Sequence, residues 1–113
     1  MYKLKTEVTF EAAHFLPNYL GPCGSIHGHT WRAEVICETN KLNKAGMVVD
    51  FSVIKNIIRK FDHRIVNDIL PNPTAENIAR YIYERVPYCK EVKVWETEKN
   101  CVTYSKRGLP VDN

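Results

Sequence analysis

The chain opens with a strict alternation. Tyr2, Leu4, Thr6, Val8, Phe10, Ala12 and His14 fall on one face of an extended segment; Lys3, Lys5, Glu7, Thr9 and Glu11 fall on the other. A period of two with one apolar side predicts a half-buried strand of an antiparallel sheet. A loop with Pro17, Asn18, Gly21, Pro22 and Gly24 follows. Alternation resumes at His27. His27, His29, Trp31, Ala33, Val35 and Cys37 share one face, and Thr30, Arg32, Glu34 and Glu38 share the other, with Ile36 as an exception. Residues 40–46 form a polar connection.

Helical spacing then takes over. Val53, Ile54, Ile57, Ile58 and Phe61 make an apolar stripe behind Ser52, the expected N-cap. The stretch "LPNPTAEN" breaks the chain and starts a second helix with Thr74 as N-cap. Ile78, Ala79, Ile82 and Val86 line its inner side, and Pro87 ends it. Two strands follow, over 91–97 and 101–105, with "EKN" as the turn. The order strand, strand, helix, helix, strand, strand predicts an α+β fold: a four-stranded antiparallel sheet with both helices on one face.

Composition narrows the picture. A length of 113 residues predicts a single domain over 1–113. A net charge of +3 is too mild for a typical nucleic-acid binder, though it favours the approach of a small anion. No apolar run is long enough to span a bilayer, and "MYKLKTEVTF" alternates where a secretory signal would run apolar. These features predict a cytoplasmic protein whose four cysteines, Cys23, Cys37, Cys89 and Cys101, are free thiols. Cys37 fits a core position and is assigned no chemistry.

The candidate chemistry centres on "CGSIHGHTW". His27 and His29 are two apart, so they project to one face of their strand, and alternation puts His14 on the apolar side of the first strand. Uncoordinated, each half-buried imidazole needs a hydrogen-bond partner. A shared divalent metal satisfies all three. Neutral imidazoles suit zinc, and three protein nitrogens leave a fourth position open, as in catalytic zinc sites. The competing reading is a chance H-x-H pair whose rings are satisfied in the core or exposed. Cys23, in a glycine-flanked loop just upstream, is open to three readings: a fourth ligand closing a structural site, a reactive thiolate, or an inert loop cysteine.

Two carboxylates add to this. Asp62 directly precedes His63, and an aspartate beside a histidine orients the ring and raises its basicity; the alternative is a surface pair. Glu96 ends the apolar stripe of Val92 and Val94. It either reaches solvent or accepts paired N–H donors from a ligand.

The motifs "FEAAHFL", "CGSIHGH", "MVVDF", "FDHRIVND", "NPTAENIA" and "VKVWET" resemble, in content and order, those of the 6-pyruvoyl-tetrahydropterin synthase superfamily. The resemblance runs from about Thr9 to Tyr104. The short spacing from the cysteine to HGH looks most like its bacterial and archaeal branch, the 6-carboxy-5,6,7,8-tetrahydropterin synthases of the queuosine pathway. The resemblance implies a tunnelling fold, assembled as a hexamer of two trimers with active sites between subunits. It implies Zn2+ on His14, His27 and His29, and Cys23 as the thiolate that moves the side-chain proton. Asp62 and His63 would complete the proton relay, and Glu96 would anchor the pterin, with Thr74 and Glu76 near the pocket. The implied substrate is 7,8-dihydroneopterin triphosphate, which the carboxy branch converts with loss of triphosphate and acetaldehyde; the pyruvoyl branch retains the side chain. Lys44, Lys55, Arg64 and Arg107 are candidates to meet the triphosphate. Phe61 stands where the family usually has leucine, and so does Val66; both are apolar exchanges. The rival readings are a 6-pyruvoyl-tetrahydropterin synthase or aldolase-like activity on the same fold, and a non-catalytic zinc-stabilised binding module.

Overall fold

The computed structural model describes residues 1–106. Two long strands, β1 (Tyr2–His14) and β2 (His27–Thr39), pair antiparallel along their whole length, from Tyr2 opposite Thr39 to His14 opposite His27. Helix α1 (Phe51–Ile58) comes next, then the two-residue strand β3 (Arg64–Ile65) and helix α2 (Ala75–Arg85). Strands β4 (Cys89–Trp95) and β5 (Cys101–Tyr104) complete the order, and short 3-10 turns fill Pro22–Gly24, Arg59–Phe61 and Val66–Asp68.

The sheet is five-stranded and mixed, in the order β3-β1-β2-β4-β5, which corrects the expected four antiparallel strands. The extra strand, β3, runs parallel to β1 and pairs only with Ala12 and Ala13. Two residues carry no periodicity, so its pairing arises from where the chain leaves α1. The segment is anchored by His63, whose backbone N–H donates to the Glu11 carbonyl at 2.6 Å. Two boundaries also move. Asp50, not Ser52, caps α1, accepting the Ser52 N–H at 2.8 Å. Strand β4 spans Cys89–Trp95 instead of 91–97, so Glu96 lies just past its end. Thr74 caps α2 as expected, accepting the Asn77 N–H at 3.1 Å.

The core lies on the sheet face that the alternation marked. Val8, Phe10 and Ala12 from β1, Trp31, Ala33, Val35 and Cys37 from β2, and Val92 and Val94 from β4 are buried against Ile54, Ile58, Ile78, Ala79 and Ile82. Val53 stays exposed on α1. Trp31 stacks on Phe10 at 5.9 Å and donates its indole N–H to the Ala12 carbonyl at 3.1 Å. A buried Trp finds a partner this way. All four cysteines are free, and among the described residues no helix is long and apolar enough to cross a membrane. Cys37 and Cys89 are opposed across β2 and β4 at a bulge, and the Cys89 thiol donates to the Glu91 carbonyl at 3.7 Å.

The apolar exchange at Phe61 has a structural role. The ring is fully buried between Phe10 at 5.7 Å and Tyr81 at 5.2 Å, joining β1 to α2. Phe61→Ala is expected to cost about 3–5 kcal/mol. Urea unfolding should show the midpoint fall with little change in slope.

Candidate metal centre and active site

The β1–β2 register builds the site. His14 faces His27 directly, and His29 faces Ala12, so three imidazoles converge at the end of the core face. Their ring centroids lie 4.6 Å (His14–His27), 5.4 Å (His14–His29) and 4.8 Å (His27–His29) apart. His14 is fully buried and packs edge-on against Trp31 at 4.9 Å.

Backbone carbonyls set the tautomers. His14 Nδ1 is 2.7 Å from the Pro73 carbonyl, and His27 Nδ1 is 2.7 Å from the Ser25 carbonyl. A carbonyl oxygen only accepts, so each Nδ1 carries the proton and donates it. Each Nε2 is left with a bare lone pair, the arrangement in which metal-bound histidines are held. His14 Nε2 and His29 Nε2 are buried without any hydrogen-bond partner. Orphaned buried polar atoms are rare. Burial lowers the His29 pKa below its ordinary value; His27 and His14 lower it further, while Glu96 opposes them. The ring is therefore neutral at pH 7, as a ligand must be. The donor set fits a divalent metal of the zinc type.

Glu96 joins this group. Its carboxylate and the three imidazoles place their ligand atoms within 4.8 Å of one another. Sequence reading put Glu96 at a ligand pocket but did not connect it to the histidines. The missing signal was the end of β4 at Trp95, paired with Arg32, which brings the next residue beside His29.

The other candidates lie around this centre. Cys23 sits half-buried in the 3-10 turn Pro22–Gly24 and is not a member of the four-residue group. Its carbonyl accepts the Leu16 N–H at 2.9 Å. A side chain at Gly24 would meet the Tyr19 carbonyl at 2.4 Å, so only glycine fits there. Asp62 and His63 are brought together at 3.1 Å. Asp62 also accepts the Glu11 N–H at 2.8 Å, and that bond is the main reason its pKa is lowered. His63 is held with φ at 58°, uncommon for a side-chain-bearing residue, and projects into solvent. Neither belongs to the four-residue group. His63 borders an open depression of about 520 Å³ with His29, Thr30 and Arg64. Thr74 uses its hydroxyl as a helix cap, while Glu76 is exposed in the first turn of α2. Lys44 and Lys55 are exposed, and Arg107 lies outside the described residues.

The family model for 6-pyruvoyl tetrahydropterin synthase matches residues 3–107. The chain belongs to that family. Among its relatives, the 6-carboxy-5,6,7,8-tetrahydropterin synthase of Synechocystis sp. is 36% identical, over 92% of this chain and 93% of the relative. The dihydroneopterin monophosphate aldolase of Pyrococcus furiosus is 39% identical over 69% of this chain and 68% of the relative. The solved 6-pyruvoyl tetrahydropterin synthase of Caenorhabditis elegans shares the fold with a TM-score of 0.72 and 25% identity, covering 92% of this chain and 94% of its own.

In this pterin synthase family member, His27→Ala should remove most bound zinc, because two imidazoles remain. Loss of a mere supporting contact costs about 10–100-fold in metal affinity, so a lost ligand should cost at least that. Elemental analysis after dialysis reads the outcome, and full retention would defeat the three-histidine site. Wild-type occupancy should also fall on acidification, since protons compete for the same lone pairs.

Proposed function

We propose that this chain, as one domain, is a zinc-dependent 6-carboxy-5,6,7,8-tetrahydropterin synthase. It converts 7,8-dihydroneopterin triphosphate and one water to the carboxylated pterin with release of acetaldehyde and triphosphate, in queuosine biosynthesis in the cytoplasm. The observation that carries the reading is the pair of imidazoles whose Nδ1 protons are held by the Pro73 and Ser25 carbonyls, in a group with His29 and Glu96 whose ligand atoms lie within 4.8 Å of one another. The relatives of that name supply the substrate class.

In this reading His14, His27 and His29 hold Zn2+, which when bound supplies Lewis-acid polarisation of side-chain hydroxyls. Cys23 takes the proton from the side-chain carbon; general bases of this kind contribute about 10²–10⁴-fold. Asp62, kept ionised, orients His63 to relay the proton. Glu96 accepts the paired N–H donors of the pterin edge. Thr74 and Glu76 shape the pocket from the start of α2. Arg64 beside His63, Lys44, Lys55 and Arg107 are the candidates to meet the triphosphate.

The relay pair sits on the β3 side of the sheet, held by the backbone N–H and carbonyl of Glu11, and neither residue belongs to the four-residue group. A second copy of the chain is what unites it with another subunit's metal. Open edges support the same conclusion. Strand β3 covers only Ala12 and Ala13 of β1, and β5 is the other border, so most of β1 presents unpaired backbone. A closed homo-oligomer, a hexamer of two trimers, satisfies both. Analytical ultracentrifugation should show that assembly, and an active monomer at low concentration would sink the shared site.

The aldolase relative favours a second reading, in which the same centre cleaves a pterin side chain without triphosphate loss. Product analysis on the triphosphate substrate separates the activities: acetaldehyde with a carboxylated pterin, a pyruvoyl pterin, or no turnover. For Cys23→Ala we expect zinc and oligomer retained, with turnover lower by about 10²–10⁴-fold or more. Zinc loss that accounts for the whole defect would instead make Cys23 a ligand.

A further inference from the structure

We propose that Glu96 is the fourth ligand of the resting metal centre, an exchangeable carboxylate that leaves the ion when the pterin arrives. The inference rests on the three-histidine reading above and adds a role for Glu96 toward the metal itself.

The geometry is that of two donors around a common centre. Glu96 Oε1 lies 3.3 Å from His29 Nε2. This approach lacks hydrogen-bond alignment, and His29 Nε2 remains buried without a hydrogen-bond partner. A neutral imidazole hydrogen-bonded to a carboxylate would point its N–H along that line. Two donors on one tetrahedral zinc, each about 2.0–2.1 Å from the ion, lie roughly 3.3–3.4 Å apart. The observed separation matches the edge of that tetrahedron. The carboxylate is the only non-histidine member of the group whose ligand atoms lie within 4.8 Å of one another among the described residues.

The backbone holds Glu96 there. Trp95 pairs with Arg32, so Glu96 follows level with Trp31 and on the face of His29. Its N–H donates to the Asn100 carbonyl at 3.1 Å, which ties the β4–β5 connection beneath it.

Exposure identifies it as the ligand that leaves. The Glu96 side chain is 31% exposed, against 19% for His29, while His14 is fully buried. Three imidazoles keep the ion while the carboxylate swings out. To present both oxygens to a pterin's paired N–H donors, the carboxylate must turn from the orientation that directs Oε1 toward the histidines. Ligation at rest and pterin anchoring are therefore successive states of one side chain. Binding of the pterin frees a coordination position for its hydroxyls.

The test uses apo protein reloaded with Zn2+ or Co2+. Zinc affinity is measured by competition with a chromophoric chelator, and Co2+ coordination by its visible d–d absorption. Wild type, Glu96→Gln, Glu96→Asp and the exposed control Glu98→Gln are compared, with folding checked by circular dichroism. We expect Glu96→Gln to bind zinc at least about tenfold more weakly, since even lost supporting contacts cost that much. The Co2+ band should change in Glu96→Gln, less so in Glu96→Asp, and stay the same in Glu98→Gln. Adding neopterin to the Co2+ wild type should shift its band. Unchanged zinc affinity and an unchanged Co2+ band in Glu96→Gln would overturn the proposal while leaving the three-histidine site intact. A wild type that takes up no stoichiometric metal would overturn the three-histidine reading itself.

Discussion

The whole site depends on one register, that of β1 against β2. His14 stands opposite His27 because thirteen residues of each strand pair without a break. Side chains alternate with a period of two, so a slip of one residue would send His14 to the polar face while His27 and His29 stayed behind. What prevents the slip is the rest of the strand. Val8, Phe10 and Ala12 are buried on the same side as His14, and Trp31, Ala33 and Val35 on the same side as His29. The core that stabilises the domain and the three converging imidazoles are set by a single choice of face.

The register alone leaves the rings free to turn. Their orientation comes from two loops that carry no histidine. The Pro73 carbonyl reaches His14 from just before α2, and the Ser25 carbonyl reaches His27 from the turn that carries Cys23. The N-cap at Thr74 thus fixes the start of a helix and, next door, the tautomer of a buried ligand. Helix α2 is therefore coupled to the site through one carbonyl, although no residue of α2 belongs to the four-residue group.

The second functional cluster has a different logic. His63 is exposed and Asp62 half-buried at the sheet border, and the left-handed backbone at His63 is held by its N–H bond to Glu11. A strained, solvent-facing histidine oriented by a carboxylate has little to contribute to the stability of an isolated chain. Its position at an edge with unpaired β1 backbone suits contact with another subunit. The domain keeps the imidazoles that could hold a metal on one face and presents the Asp62–His63 pair at the rim.

The sequence by itself determined the two long strands, the face each turns inward, both helices and the cap at Thr74. Each rests on a local rule, a period of two or 3.6 or a capping side chain, that operates within a few residues. The convergence of His14, His27 and His29 was legible for the same reason, because strand alternation states which side chains share a side. Only the tertiary structure decided the parallel pairing of β3, too short to have a period and fixed by contacts about fifty residues apart in sequence, such as the Glu11 N–H to Asp62. It also decided the carbonyls behind the rings and the approach of Glu96 to His29. Those depend on loop paths and on where β4 ends, and backbone carbonyls are present at every residue, so composition carries no trace of which two will be used.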